Sequence, residues 1–428
     1  MMDRKEVILD AAFHIWGKTN FTQMSLTPIA KHLGITKAAL YKHFRSKDEL
    51  LQAMEQRFLS RYRAFHEEFF QEVVGLDLSQ AVYRFMENIL RFYLGNPYFL
   101  SYFYVLLLRS RLAERPEIAP LFLRQRELFR AIFHRAGIQT GSEELDTRLH
   151  FLYICTTFWV STLFWEDKEC RHPSQIRPPV SGDLEVWRSS LDRWNRYCME
   201  GLANLTGNLQ ESHPHRLNYD EIENKTLFPP PPKREHDRIF QAIVDVSATV
   251  GIREASIERI AEKLGMSKSS LYSHFRSKRS MFETLLREEQ RFLLRVLKEK
   301  LSSLSGFAER SYGFMYITLR HTLSNSSLLS LFNWFRFQNI RIPIRPPGRS
   351  FMAEYFNFFF EAYEKGELSC AKEELIPAAV LLHVLTFRSL QDTASPQELD
   401  ESLSSKIRSM HQLYLYGLTT PNLSKESV

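Results

Sequence analysis

The sequence predicts an all-α protein assembled from two copies of one plan, and three observations lead there. Glycine is scarce, at 16 of 428 residues, while Leu, Phe, Glu, Arg and Lys abound, a balance that favours helices. Apolar residues recur at helical spacing: Leu26, Ile29, Ala30 and Leu33 form an i, i+3, i+4, i+7 stripe. Sliding the chain by 231 residues lays Ser25–Asp48 on Ser256–Arg279 without a gap, and 13 of the 24 positions are identical. That is a duplication, and it divides the chain before any element is placed.

Each copy reads as four helices. Ile8, Leu9, Ala12, Phe13 and Trp16 mark the apolar face of the first, and Ile239, Phe240, Ile243 and Val244 mark its counterpart. The second helix carries the stripe above, matched by Ile257, Ile260, Ala261 and Leu264, with Ser25 and Ser256 at the capping position before it. Gly34 and Gly265 follow at once, where a helix end favours a left-handed residue without a Cβ. Thr36 and Ser267 then cap a short third helix. Ser46-Lys47-Asp48-Glu49 is a capping box opening a long fourth helix, and Ser277 supplies the cap alone in the second copy. Two short helices joined by a tight glycine turn are a helix-turn-helix.

Longer aromatic-rich helical regions follow each head. The expected domains are a first helix-turn-helix head over 1–50, a first helical body over 51–206, a second head over 236–282 and a second body over 283–428. Between the halves, Gly207–Glu235 is polar and holds Phe228-Pro229-Pro230-Pro231-Pro232, which reads as a stiff polyproline II linker.

Charge is distributed just as unevenly. The formal net charge is +6, yet residues 1–50 hold eight Lys or Arg against five Asp or Glu, and residues 233–282 hold ten against six. The remainder holds 38 against 39, so the positive excess sits in the two heads alone, as polyanion-binding segments require. No run of about 18 apolar residues reads as a membrane span, and Met1–Glu6 lacks the apolar core of a signal peptide. Cys155, Cys170, Cys198 and Cys370 show neither paired nor metal-ligand spacing, which fits reduced thiols in a cytoplasm. No catalytic triad, paired carboxylates, phosphate loop or metal pattern stands out, so neither enzyme chemistry nor a cofactor is expected.

The runs Ile29-Ala30-Lys31-His32-Leu33-Gly34-Ile35-Thr36-Lys37-Ala38-Ala39-Leu40-Tyr41-Lys42-His43-Phe44-Arg45-Ser46-Lys47 and Ile260–Lys278 resemble the tetracycline-repressor (TetR) family of bacterial regulators. The resemblance covers about 45 residues per half. It implies a DNA-binding head followed by a helical domain that binds a small molecule and makes the dimer contact through its last two helices. Here those would be about 142–166 with 183–205 and 372–391 with 397–417, packed as an intrachain pseudo-dimer, with further homo-oligomerisation left open. The 29-residue linker reaches at most about 90 Å when extended, which permits that pairing. The implied partner is double-stranded operator DNA, in the bacterial cytoplasm at the nucleoid.

Physical reading of the third helix agrees. A short helix in the major groove offers its N-terminal residues to base edges and its flanks to phosphates. Leu40 and Phe44 read as core, leaving Lys37, Ala38, Ala39, Tyr41, Lys42 and His43 for DNA. Lys37 and Lys268 can reach guanine or phosphate, Ala38 and Ala39 can pack on thymine methyls, and Ser269 and Ser270 can bond either groove edge. Ser273 stands where Lys42 stands; Tyr41, His43, Tyr272 and His274 suit phosphate clamping; Lys47 and Lys278, and with them the capping Ser25 and Ser256, would bind phosphate beside a helix N-terminus. Among the body aromatics, most of which read as core, Tyr98, Tyr102, Phe103, Phe129, Trp159, Tyr312, Tyr316 and Trp334 are candidates for an apolar or aromatic effector.

Overall fold

The structure is a computed structural model that describes residues 3–18, 26–96, 98–100, 102–103, 116–164, 184–202, 217–229, 235–250, 256–275, 278–324, 353–368, 370–389, 401–420 and 423. Every regular element among them is helical. No helix of the described residues is long and apolar enough to cross a membrane.

Two compact units divide the chain. The first opens with α1 (Arg4–Lys18), α2 (Leu26–His32), α3 (Lys37–Tyr41) and α4 (Lys47–Glu72). Ile8, Leu9, Ala12 and Phe13 of α1 are buried, as are Leu26, Ile29 and Ala30 of α2, so three short helices close one small core. α4 buries Leu50, Met54, Phe58, Tyr62, Phe65 and Phe69 along one side, and packs against α1 at its start and body helices further on. One rod thus belongs to both head and body. Arg57 ties the two, donating to the Glu6 carbonyl at 3.2 Å and to the Asp10 carboxylate at 2.5 Å.

The first body adds α5 (Leu78–Gly95), α6 (Ala119–Arg135), α7 (Ser142–Phe164) and α8 (Arg188–Glu200), with one 3-10 turn at Leu184–Trp187. Asp77 and Gln80 form a reciprocal capping box at the start of α5, which packs on α4, α7 and α8. The segment Gly417–Leu423 also belongs to this unit, although the sequence reading groups it with the second body. The cause is a fully buried Arg148 on α7. Its guanidinium donates to Glu144 at 2.7 Å and to the carbonyls of Leu418 and Thr420 at 2.6 and 2.5 Å. Leu418 N–H donates to the Cys198 carbonyl at 2.8 Å, and Gly417, at φ 72°, lies against the backbone of Met199 and Glu200 where a Cβ would not fit.

The second unit holds α9 (Tyr219–Thr226), α10 (Glu235–Val250), α11 (Ile257–Leu264), α12 (Lys268–His274), α13 (Lys278–Leu301), α14 (Gly306–Ser324), α15 (Asn357–Glu364), α16 (Lys372–Ser389) and α17 (Glu401–Tyr416). α10 packs on α11 and α11 on α12, repeating the first head, while α14 is the central rod of the second body, touching α9, α13, α15, α16 and α17.

α9 corrects the expected linker. It falls inside Gly207–Glu235, yet Ile222 and Thr226 are buried and Phe228 follows them inward. Its polar side is fixed as firmly. Glu223 accepts from the Tyr312 hydroxyl at 2.5 Å and from Arg408 at 2.9 Å, and Tyr219 pairs with His411 at 3.2 Å. α9 lies so close to α14 that a Cβ on Gly313 would stand 3.3 Å from Thr226. Tyr219–Phe228 is therefore part of the second core, and the Pro230–Pro232 run lies outside the described residues.

Candidate nucleic-acid interface

Each head presents a short helix that is pinned on its inner side. In the first, Gly34 takes φ 65° and ends α2. Thr36 is extended, and its hydroxyl accepts the Ala39 N–H at 3.1 Å. Leu40 and Phe44 are buried beneath α3. A five-residue helix has little stability of its own, so the cap and these two anchors hold it. The second head repeats each device. Gly265 takes φ 68°, Ser267 accepts the Ser270 N–H at 3.0 Å, and Leu271 and Phe275 are buried. Ser256 caps α11 by accepting the Arg259 N–H at 3.3 Å; Ser25 lies outside the described residues.

The outer side of each helix is open. Lys37, Ala38, Tyr41 and Lys42 are exposed, with Ala39 and His43 half-buried at the edge. Lys268, Ser269, Tyr272 and Ser273 are exposed and Ser270 is half-buried. Tyr41 and Tyr272 each keep 42% exposure, well above an ordinary core ring. Lys37 Nζ and Lys268 Nζ each stand 5.8 Å from the centre of the tyrosine ring four residues on. The same cation–aromatic pair therefore marks both faces. Ser273 donates its hydroxyl to the Ser270 carbonyl at 2.7 Å, which leaves it only acceptor capacity outward. The side chains of His274 and Lys278 are outside the described ones.

Lys47 opens α4, half-buried, with Ser46 accepting the Glu49 N–H at 3.1 Å. Glu49 reaches back to the Arg45 N–H at 2.6 Å, one residue before the expected partner. The free N–H groups and the partial positive charge of that helix end favour an anion beside Lys47.

One residue on this surface escapes the sequence reading. Glu258, on the first turn of α11, forms an ion pair with Lys268 of α12. The Lys268 ammonium beside it holds the Glu258 carboxyl down at about 2, and Lys268 is raised in turn. Thr27 occupies that position in the first head, so comparing the two copies at their differences would have exposed it.

The aromatic effector candidates do not converge on one pocket. Tyr102, Phe103, Phe129 and Trp159 are buried, with Tyr102 and Phe103 against Phe58 and Phe129 against Phe69 and Phe85. Trp159 donates its indole N–H to Ser190 at 2.9 Å. Tyr312 and Tyr316 are buried likewise, Tyr312 within the α9 network, and Trp334 is outside the described residues. These rings fill volume that the helices leave between them. Tyr98 lines a cleft of about 540 Å³, together with Asp3, Asp10, Phe13, Arg57 and Arg61.

A different cluster in the first body carries unmet polarity. His66 on α4 is fully buried, and burial pushes its imidazole down to about 3, so the ring is neutral near pH 7. Tyr153 links it at 3.5 Å to the Tyr62 hydroxyl, 2.6 Å further on, and Phe122 flanks both His66 and Tyr153. Elsewhere in the same body, and at the other ring nitrogen, Oε1 of Gln125, Oγ1 of Thr156 and Nδ1 of His66 are buried without a hydrogen-bond partner among the described residues.

Comparison with known proteins agrees with the heads. The family model of bacterial regulatory proteins of the tetR family matches residues 8–54 and again residues 239–285. An HTH-type transcriptional repressor of Mycobacterium tuberculosis is 39% identical over 57 residues, 13% of this chain and 22% of its own length. An uncharacterised HTH-type transcriptional regulator of Mycobacterium bovis matches to the same extent. The nucleoid occlusion factor SlmA of Aliivibrio fischeri is 29% identical over 126 residues, 26% of this chain and 64% of that protein. The chain thus spans under a quarter of the mycobacterial relatives and just under two thirds of SlmA.

Proposed function

We propose that this chain is a TetR-family DNA-binding regulator with the family's head repeated in tandem, and that it is a repressor reading an imperfect palindrome. One chain supplies both recognition helices, and its second half takes the place of a dimer partner. The observation that carries this reading is the pair of capped helices with their open Lys–Tyr faces, alike in plan and unlike at Ala38/Ser269, Ala39/Ser270 and Lys42/Ser273. Two such helices would enter successive major grooves about one helical turn apart. Lys37 and Lys268 would address base edges, the exposed alanines and serines would tune the neighbouring steps, and Tyr41, His43, Lys47 and their counterparts would hold phosphates. The protein acts in the bacterial cytoplasm, at the nucleoid.

Release would follow from a small apolar or aromatic effector in the first body. Three buried polar atoms without partners cost roughly 1–3 kcal/mol each, and a ligand with matching groups would recover part of that. A neutral His66 and its tyrosine neighbours suit an uncharged aromatic molecule that both stacks and hydrogen-bonds. The similarity to a nucleoid occlusion factor supports a second reading, in which the chain binds DNA constitutively and answers to no effector.

Selecting bound duplexes from a random pool, followed by footprinting, tests the first claim. One chain over two unlike half-sites is the expected result, and a perfect palindrome held by two chains would overturn it. Affinity should fall roughly a thousandfold or more between 50 and 200 mM salt if six to ten phosphates are neutralised. Uncharged aromatic compounds that free the operator would favour the repressor over the constitutive reading.

A further inference from the structure

We infer that Glu258 is a specificity-determining residue of the second head, acting with Lys268 as a donor–acceptor pair that reads one G·C base pair and suppresses binding to unrelated DNA. The inference rests on the DNA-reading assignment above and adds a residue to it.

Lys268 begins the recognition helix, and Glu258 on the adjoining helix is salt-bridged to it, each about half exposed. The carboxylate therefore stands on the surface that meets the duplex. Position 27 of the first head is a threonine, and no ion pair engages Lys37 among the described residues. Two consequences follow from charge alone. Non-specific attraction is phosphate-driven, so a carboxylate facing the backbone lowers it. The Glu258–Lys268 pair carries no net charge, so together the two add little to the phosphate-driven attraction.

The balance changes at one kind of base pair. In the major groove a G·C pair shows the O6 and N7 acceptors of guanine beside the N4 amino donor of cytosine. A lysine and a carboxylate in contact offer the complement: Lys268 donates to guanine while Glu258 accepts from cytosine. In the register that sets Lys268 on guanine O6 and Glu258 on cytosine N4, an A·T pair would turn the adenine N6 donor to the lysine and the thymine O4 acceptor to the carboxylate, two repulsive contacts. Discrimination here comes from the penalty on wrong sequences as much as from the reward on the right one.

The test uses the full chain and three duplexes: the selected site, the same site with one G·C pair of the second half-site changed to A·T, and an unrelated sequence. Glu258→Gln and Glu258→Thr, the latter copying the first head, are compared with the wild type. Both variants should bind the unrelated duplex several-fold more tightly, with a salt slope steeper by about one phosphate. Their preference for G·C over A·T at one position should drop by about tenfold. Unchanged preference together with unchanged non-specific affinity would overturn the role of Glu258 alone, as would a uniform loss on all three duplexes. A wild-type chain that bound none of them would overturn the DNA-reading assignment itself.

Discussion

The two heads agree on the inside and diverge on the outside, whereas the bodies behind them share little. Leu40, Phe44, Ile29 and Ala30 recur as Leu271, Phe275, Ile260 and Ala261, all buried. Four of the eleven differences in the aligned stretch fall on or beside the recognition face, at Thr27/Glu258, Ala38/Ser269, Ala39/Ser270 and Lys42/Ser273. The first body is packed from rings such as Phe58, Tyr62, Phe65, Phe69 and Phe85, with a neutral His66 among them. The second has its own ring cluster at Phe307, Phe314, Tyr355, Phe356 and Phe358, and adds a buried polar network: Arg408 to Glu223, Tyr312 to Glu223, and His411 between Tyr219 and Ser311. Keeping the supports while varying the readers preserves a docking geometry and frees the base preference. The bodies carried no such constraint.

The largest test of this contrast is Arg148. Removing it leaves the buried Glu144 carboxylate without its counter-charge, with only the Leu423 N–H at 3.3 Å to satisfy it, and strips the guanidinium from two tail carbonyls, which should cost the first unit about 3–5 kcal/mol. Five of the six tryptophans lie within residues 1–201, so tryptophan fluorescence should report the early loss of that unit in Arg148→Ala. A single shift common to every probe would mean that the units unfold as one.

Acid should separate the bodies next. Burial holds His66 near 3 in the first, and His383 near 4 and His411 near 3 in the second. An unfolded histidine takes a proton near 6.5, so between about 6.5 and these values the unfolded chain binds more protons and stability falls as pH drops. At pH 5 each histidine costs about 2 kcal/mol, so the second body should lose about twice what the first loses. Denaturation at pH 7 and pH 5 measures it; a His411→Gln variant should flatten the second body's response.

The reading faces come third. Lys37→Ala should lose about 1–3 kcal/mol of base discrimination, and Lys268→Ala should lose less affinity on unrelated DNA because Glu258 already offsets its charge. Lys42→Ala should reduce the salt slope by about one, an effect with no counterpart at Ser273.

The heads were legible because their signals are local. A glycine after an apolar stripe, a hydroxyl two residues on and a leucine four residues beyond it fix a turn, a cap and an anchor within about ten residues. The last helices came instead from what the family resemblance implies: 372–391 was expected and α16 runs Lys372–Ser389. What stayed hidden depends on distant partners. Nothing near Tyr219 announces Tyr312 or Arg408, roughly 90 and 190 residues away in the chain, so α9 reads as linker. Nothing near Leu418 announces Arg148. Aromatic residues mark a core without saying which of its faces stay open, and so Tyr102, Phe103, Phe129, Trp159, Tyr312 and Tyr316 could not be told from packing by sequence.

The smallest prediction is the sharpest test that the heads are one device. Gly34 and Gly265 have nearly equal left-handed backbones, and in each the next residue's N–H returns to an alanine carbonyl, Ile35 to Ala30 at 3.0 Å and Met266 to Ala261 at 2.9 Å. A Cβ at either glycine would meet nothing within 4 Å, so packing plays no part in the cost. What remains is the backbone preference of an L-residue, about 1–2 kcal/mol for alanine in this region. Asparagine, which tolerates positive φ, should cost less. Gly34→Ala and Gly265→Ala should therefore destabilise their heads by the same amount, with the asparagine variants recovering part of it in both. Unequal losses would mean that one turn is held by its surroundings, and that the second head is a remodelled copy in its frame as well as on its reading face.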